Sequence, residues 1–370
     1  MAEYTLKSFF DRRRVVAIAD QLTAAWPAFP RDQFVREAAR GLDDLELMDR
    51  GRHIAAAMAR ALPAAYADAI DVIVRALGEP LAHTEGNGMA PFHYLPHVIF
   101  VAEHGLADVE RSLAAQHELT RRFSCEFSIR VFLEHHERRT LAELARWTRD
   151  PDEHVRRLVS EGTRPRLPWA PRLRRFQADP APVVALLEQL KDDPSEYVRR
   201  SVANNLNDIA KDHPAIALAT CARWLRGASP ERRRLCEHAL RTLIKAGHPE
   251  AIRLLGGDGD AKLDAHGTIA PAQVKIGETV KLTVTIRNPG RAPVTAVLGA
   301  RVHFVKAKGH ASGKVFKLPT LSLAPGASAT VAKTISLRQH TTRTHYPGAH
   351  TVELVVNGVA RPLGRFVLRA

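Results

Sequence analysis

The sequence predicts a multidomain chain that is α first and β second, an array of stacked helical pairs followed by a β-sandwich. Three observations carry this. Helix starts in the second quarter and beyond share one grammar, a polar residue followed by proline. Past residue 262 the hydrophobic period changes from that of a helix to two. Between these regions lies Leu255-Gly-Gly-Asp-Gly-Asp-Ala261, whose three glycines and two aspartates cannot propagate a helix.

Residues 10–135 are mainly helical by pattern, with Ala/Leu-rich stretches at 54–62 and 68–77 but no strict period. From there the starts are Asp150-Pro151, Asp179-Pro180, Asp193-Pro194, His213-Pro214, Ser229-Pro230 and His248-Pro249. Proline suits the first helical position, where its missing N–H is not needed, and Asp or Ser caps the free amides. Alternate prolines are spaced by 34 and 35 residues (180, 214, 249) and by 43 and 36 (151, 194, 230). Those spacings fit stacked helix pairs close to the ~40–47 residues of HEAT repeats. Two second helices also match in sequence, Asp150-Pro-Asp-Glu-His-Val-Arg-Arg-Leu-Val and Asp193-Pro-Ser-Glu-Tyr-Val-Arg-Arg-Ser-Val. The expectation is an α-solenoid of HEAT-like helical repeats with a concave face for an extended ligand.

In the tail Val280, Leu282, Val284 and Ile286 alternate with polar residues, as do Val352, Leu354 and Val356. Asn357-Gly358 is a two-residue hairpin signal. Short strands between Pro/Gly turns over ~100 residues point to an immunoglobulin-like β-sandwich. The expected domains are therefore 1–255 helical repeats, 256–264 linker and 265–370 sandwich.

Charge separates the two parts. Residues 262–370 carry 16 Lys+Arg against 3 Asp+Glu, whereas the first 261 residues carry 38 against 37. A tail this basic invites a polyanion, because neutralising phosphates releases condensed counterions. No apolar run reaches the roughly 18–20 residues of a membrane span, and the N-terminus lacks a secretory apolar region. Cys125, Cys221 and Cys236 are too few and scattered for a disulfide framework or a Cys-rich zinc site. A cytoplasmic, nucleoid-associated protein without a membrane partner is expected, and a monomer suffices.

Several motifs are set aside. His93-Tyr-Leu-Pro-His97 has metal-like spacing but lacks a glutamate and reads as loop histidines without a metal. Gly309-His-Ala-Ser-Gly-Lys314 is one residue short of a phosphate loop and has Val315 where Ser or Thr is needed. Neither Gly-x-Gly-x-x-Gly nor Gly-x-Ser-x-Gly occurs, so no cofactor is expected.

Three segments carry chemistry. In Ser124-Cys-Glu-Phe-Ser-Ile-Arg130, a helical projection puts Glu126 between two apolar stripes, with Arg122 and Arg130 one turn to either side. Such a carboxylate is either functional or a structural partner of arginine. In Thr163-Arg-Pro-Arg-Leu-Pro-Trp-Ala-Pro171, three prolines hold Trp169 on a stiffened segment, where it either plugs a gap between repeats or offers its face to a sugar, base or cation. In the helix carrying Ser201-Val-Ala-Asn-Asn-Leu-Asn-Asp208, Val198, Val202, Leu206 and Ile209 form the core stripe. Arg200, Ser201, Asn204, Asp208 and Lys211 share the opposite face, which points to solvent or into the concavity.

Together these segments resemble the AlkC branch of the AlkC/AlkD alkylpurine DNA glycosylases, a family of HEAT-like solenoids, some with a C-terminal immunoglobulin-like domain. The resemblance implies that Glu126, Trp169 and Asp208 line a site of base excision acting on double-stranded DNA. It also implies release of cationic methylated bases, 3-methyladenine and 3-methylcytosine, without drawing the base into a protein pocket. A base methylated on a ring nitrogen leaves as a neutral molecule and needs no general acid, so the protein must stabilise a cationic sugar and place a water. Asp208 is expected to position water, Glu126 to add negative charge and Trp169 to pack on the sugar. Arg156, Arg157, Arg199, Arg200 and Lys211 are expected phosphate contacts, some of the arginines pairing instead with acids between repeats. In the tail, the loop Arg338-Gln-His-Thr-Thr-Arg-Thr-His-Tyr-Pro347 offers His340, Thr342 and Arg343 to DNA. The alternative is a non-catalytic HEAT-repeat DNA-binding or scaffolding protein. Aiming carboxylates at phosphates makes little sense for that role, since they repel.

Overall fold

The computed structural model describes residues 6–257, 262–339 and 344–370. It is helical to Leu254 and strand-built from Asp264 onward. The chain packs as two compact units that divide between Asp212 and His213.

The first unit is all helical. Its later helices are the ones that place the site: Ser128–His135, Glu137–Trp147, Glu153–Gly162, Ala181–Leu190 and Glu196–Asp212. Helix Glu196–Asp212 packs on helix Glu153–Gly162. Those are the two elements that carry the repeated Val-Arg-Arg sequence. Val198, Val202, Leu206 and Ile209 are buried, as their spacing requires. Ser201, Asn205 and Asp208 are buried too. The neighbouring helix covers them: Ser160 Oγ donates to Ser201 Oγ at 2.7 Å, and Asn205 Nδ2 donates to Ser160 O at 2.8 Å. Part of the stripe expected to face solvent is thus an internal polar seam, in which buried donors find partners across helices.

Proline marks helix entry with a variable offset. Pro214, Pro230 and Pro249 each open a helix, and Ser229 caps the second by accepting from Arg232 N at 3.2 Å. After Pro151 and Pro194 the helices start two residues later, at Glu153 and Glu196. There Asp150 and Asp193 accept from Asp152 N and Ser195 N at 2.8 and 2.9 Å, turning the chain before the helix begins.

The second unit joins four helices, Pro214–Leu225, Pro230–Ala239, Arg241–Ala246 and Pro249–Leu254, to an immunoglobulin-like sandwich. Its strands are β1 Asp264–Ala270, β2 Gln273–Lys275, β3 Thr279–Arg287, β4 Val294–Ala296, β5 Leu298–Val305, β6 Ala311–Lys317, β7 Leu321–Leu323, β8 Ser328–Ser336, β9 Gly348–Val356 and β10 Val359–Arg369. They form sheets ordered β1-β3-β8, β2-β10-β9-β5-β6 and β4-β7. The predicted alternation holds: Val280, Leu282, Val284 and Ile286 of β3 and Val352, Leu354 and Val356 of β9 face one core. Asn357 and Gly358 have φ of 47° and 85° and make the β9–β10 turn, the left-handed pair that the Asn-Gly sequence favours. Gly358 also lies where a Cβ would meet Ile252 Cδ1 at 2.7 Å and Gly247 O at 3.0 Å, so only glycine fits beneath the helices. Gln339 exchanges hydrogen bonds with the backbone of His345 at 3.1 and 2.9 Å. His340, Thr342 and Arg343 lie outside the described residues.

His93 and His97 stand in a short 3-10 helix and the α-helix that follows it, both buried, where loop histidines were expected. Leu95 and Pro96 open the α-helix, proline being tolerated in a helix's first turn. His93 bonds Gln21 Oε1 at 2.6 Å, and His97 Nδ1 has no hydrogen-bond partner. Burial, aided by Arg14 beside His93 and by His93 beside His97, lowers the two to about 4 and about 3. Below the ordinary value near 6.5 the unfolded chain binds protons that the folded one refuses, so stability falls with falling pH. Each histidine contributes a slope that grows from about 0.7 kcal/mol per pH unit at pH 6.5 to about 1.3 near pH 5, above most of the range where carboxylates titrate. Urea unfolding of His97→Leu should show a shallower loss over that interval than wild type, and an equally steep loss would remove His97 from the account.

Candidate active site

A cleft of about 520 Å³ opens in the first unit, lined among others by Ser124, Glu126, Phe127, His154, Arg157, Glu161, Trp169 and Tyr197. Glu126 stands on the turn before helix Ser128–His135, not within a helix. The turn is anchored by Ser128, whose Oγ donates to Gln116 Oε1 at 2.7 Å, and by Ile129 N donating to Cys125 O at 3.0 Å. Because the backbone bends there, the one-turn spacing that placed Arg122 and Arg130 beside Glu126 does not apply. Arg122 binds Gly78 O and Glu118, and Arg130 binds backbone carbonyls. The partner is Arg157, from the next repeat. Its Nη1 donates to Glu126 Oε2 at 2.6 Å, and Ser124 Oγ donates to the same oxygen at 2.9 Å. Both bonds land on Oε2, and among the described residues no hydrogen bond to Oε1 is seen.

From Arg157 a track of alternating charges runs inward. Arg157 Nη2 lies 3.5 Å from Glu161 Oε1, which also accepts from Arg164 Nη1 at 2.7 Å. Arg164 Nε donates to Asp208 Oδ2 at 2.8 Å, and Lys211 Nζ donates to Asp208 Oδ1 at 2.8 Å. Ser201 Oγ completes Glu161 at 2.7 Å. Burial alone would favour neutral groups. Arg157 and Arg164 overcome it at Glu161 and hold that carboxyl below its usual range. In the same way Glu126 and Glu161 raise Arg157 against its burial, and Glu161 and Asp208 raise Arg164. Arg157, Glu161 and Arg164 therefore favour their charged forms despite burial.

Asp208 is not on the cleft wall. Its side chain is only 1% exposed, with Arg164 on one oxygen and Lys211, itself 39% exposed, on the other. The structure thus brings Glu126 and Trp169 to one cleft and joins Asp208 to them through Glu161 and Arg164. Neither of those two linking residues stood out in the sequence. The signal for Glu161 is its place one turn after Arg157.

Trp169 is 70% exposed and has φ of 64°, so it is not a plug between repeats. A large side chain in the left-handed region is strained, and such outliers persist where the surroundings enforce them. Buried Leu167 and Leu173 anchor the segment on either side, and Leu173 N donates to Pro165 O at 3.2 Å. The remaining expected contacts divide. Arg156 is held by Asp193 at 2.7 and 3.0 Å, between the repeats. Arg199 donates to Pro194 O at 2.8 Å and also to Asp193 O. Arg157 serves Glu126. Arg200 and Lys211 are exposed.

Residues 264–370 match the family described as "Uncharacterised protein YhaZ, C-terminal Ig-like domain". The protein YhaZ of Bacillus subtilis (strain 168) is 32% identical over 356 residues, spanning 95% of this chain and 96% of that one. The structure of Pseudomonas fluorescens alkylpurine DNA glycosylase AlkC, bound to DNA containing an abasic site analog, is 38% identical with a TM-score of 0.90, over 99% of this chain and all of the other. The chain belongs to the AlkC-type family. That membership covers the helical part and the sandwich alike, so the cleft and the strained tryptophan are features of a full-length family member.

The conformation of Trp169 makes a stability prediction independent of activity. Trp169→Gly and Trp169→Ala both remove the indole, but only glycine relieves left-handed strain of about 1 kcal/mol. Urea unfolding should find the glycine variant more stable than the alanine variant, despite glycine's freer unfolded chain. The reverse order would mean that the backbone relaxes once the indole is gone.

Proposed function

We propose that this chain is a DNA glycosylase for alkylated bases, acting on duplex DNA as a monofunctional enzyme that leaves an abasic site. The observation that carries the reading is the full-length likeness to AlkC held on DNA, at a TM-score of 0.90. The preferred lesions are cationic N-methylated bases, 3-methyladenine and 3-methylcytosine, excised without enclosing the base in a pocket.

The chemistry of the cleft suits such a leaving group. A cationic base departs neutral, so what rises in the transition state is positive charge on the sugar. The cleft offers a carboxylate held in place by arginine, a group preorganised to meet developing positive charge. Glu126 presents its unbonded oxygen to that charge. Trp169, at the rim, packs its π-face on the same sugar. Asp208 positions the attacking water, which requires its Oδ1 to be freed. Lys211, half in solvent, is the group that would leave, drawn to a DNA phosphate. Lys211 Nζ is engaged by Asp208 Oδ1, in keeping with simple hydrolysis rather than Schiff-base chemistry.

In the tail, Arg343, with His340 and Thr342, contacts the duplex backbone or minor groove beside the lesion. Neutralising Arg343 with alanine should lower the slope of log affinity against log salt by about 1. An unchanged slope would take Arg343 off the phosphates.

The decisive assay is release of free methylated base from alkylated duplex DNA. Wild type should release it, and Asp208→Asn and Glu126→Gln should each slow release by about 10²–10³-fold with DNA binding retained. Wild-type rates in both variants would remove the catalytic assignment. Tight DNA binding by a wild type that releases no base would favour a non-catalytic DNA-binding scaffold.

A further inference from the structure

We infer that Arg130 is the positioning residue that holds Trp169 at the rim of the cleft; the inference rests on the glycosylase reading above. Arg130 is 3% exposed, yet its guanidinium bonds no carboxylate. Its Nη1 donates to Gly162 O at 3.1 Å and Arg164 O at 2.7 Å, and its Nη2 donates to Pro171 O. A buried cation held by three neutral carbonyls is an expensive arrangement compared with an ion pair. Burial pulls its pKa down to about 10, which leaves it charged at neutral pH.

The three acceptors explain what this arrangement does. Gly162 closes helix Glu153–Gly162, where orphan carbonyls and the negative end of the helix dipole welcome a cation. Arg164 and Pro171 bracket the segment that carries Trp169. Pro165, Pro168 and Pro171 have no N–H, so this segment is poor in donors, and its own backbone bonds, Ala170 N to Leu167 O at 3.4 Å and Leu173 N to Pro165 O at 3.2 Å, are long. Arg130 supplies the missing donors from another helix and ties the two ends of the segment to one planar group. Between the tied ends Trp169 sits at φ of 64°, a conformation that survives only while its flanks are fixed. Arg130 Nε has no hydrogen-bond partner, so the orientation of the guanidinium is set by these carbonyls alone.

The test is a double-mutant cycle in the full-length protein, read by single-turnover release of methylated base. Arg130→Met and Trp169→Ala should each slow release, by up to about a hundredfold for a mispositioned group. DNA affinity should stay within about twofold, and Arg130→Lys should recover part of the rate. Because Arg130 acts through Trp169, the double variant should be no slower than Trp169→Ala alone. Multiplying effects, or an Arg130→Met enzyme at the wild-type rate, would overturn the inference. Should Arg130→Met fail to fold, Arg130→Lys replaces it in the cycle with the same criteria. A second readout does not depend on catalysis. Freed from its clamp, the segment should be cut faster by trypsin after Arg166 and Arg172, with other sites unchanged. A wild type that releases no base would sink the glycosylase reading, whereas unchanged cleavage at those two sites would sink the clamp.

Discussion

Opposite charges paired end to end organise the site. Glu126, Arg157, Glu161, Arg164, Asp208 and Lys211 alternate in sign along one continuous track, from the cleft wall to the surface of helix Glu196–Asp212. Burial alone would disfavour the charged forms of Arg157, Glu161 and Arg164. Their pairing offsets it, and each group orients the next. The track also joins three repeats: the turn before Ser128, helix Glu153–Gly162 and helix Glu196–Asp212. The register of the helical array and the placement of its acids are thereby one problem with one solution.

Much of the fold is legible in the sequence because its signals are local. Proline and cap residues set helix entries, alternation sets the strands of the sandwich, and Asn357-Gly358 sets a turn. Glu126, Trp169 and Asp208 stand out because a carboxylate on an apolar stretch, a tryptophan among prolines and an acid among cations each break a local rule. What could not be read is their partnership. Glu126 is 31 residues from Arg157, and Asp208 is 44 from Arg164. One-turn spacing on a single helix offered Arg122 and Arg130 instead, and the bend at residues 124–127 removed both.

The same limit shaped the reading of the arginines. Repeated Val-Arg-Arg steps look like basic faces, and in the second repeat Arg200 does face solvent. In the first, Arg156 and Arg157 are taken by Asp193 and Glu126. The first arginine of each step does the same work, Arg156 on the carbonyls of Asp150 and Pro151 and Arg199 on those of Asp193 and Pro194, while the second differs because each repeat meets a different neighbour. Sequence similarity between repeats reports shared packing, while the polar partners are contributed by whatever lies across the groove.

The division of the chain at Asp212 and His213 has a consequence for how such proteins are cut and recombined. The matched family region starts at residue 264, and the glycine-rich stretch before it looks like a natural seam. Yet a Cβ on Gly247 would meet Gly358 O at 3.2 Å, and Lys317 pairs with Glu237, so helices between Pro230 and Leu254 are part of the floor on which the strands rest. Severing at the glycines would strand an apolar underside in water. A chimera that borrows this sandwich should take its helical plinth along, beginning at His213.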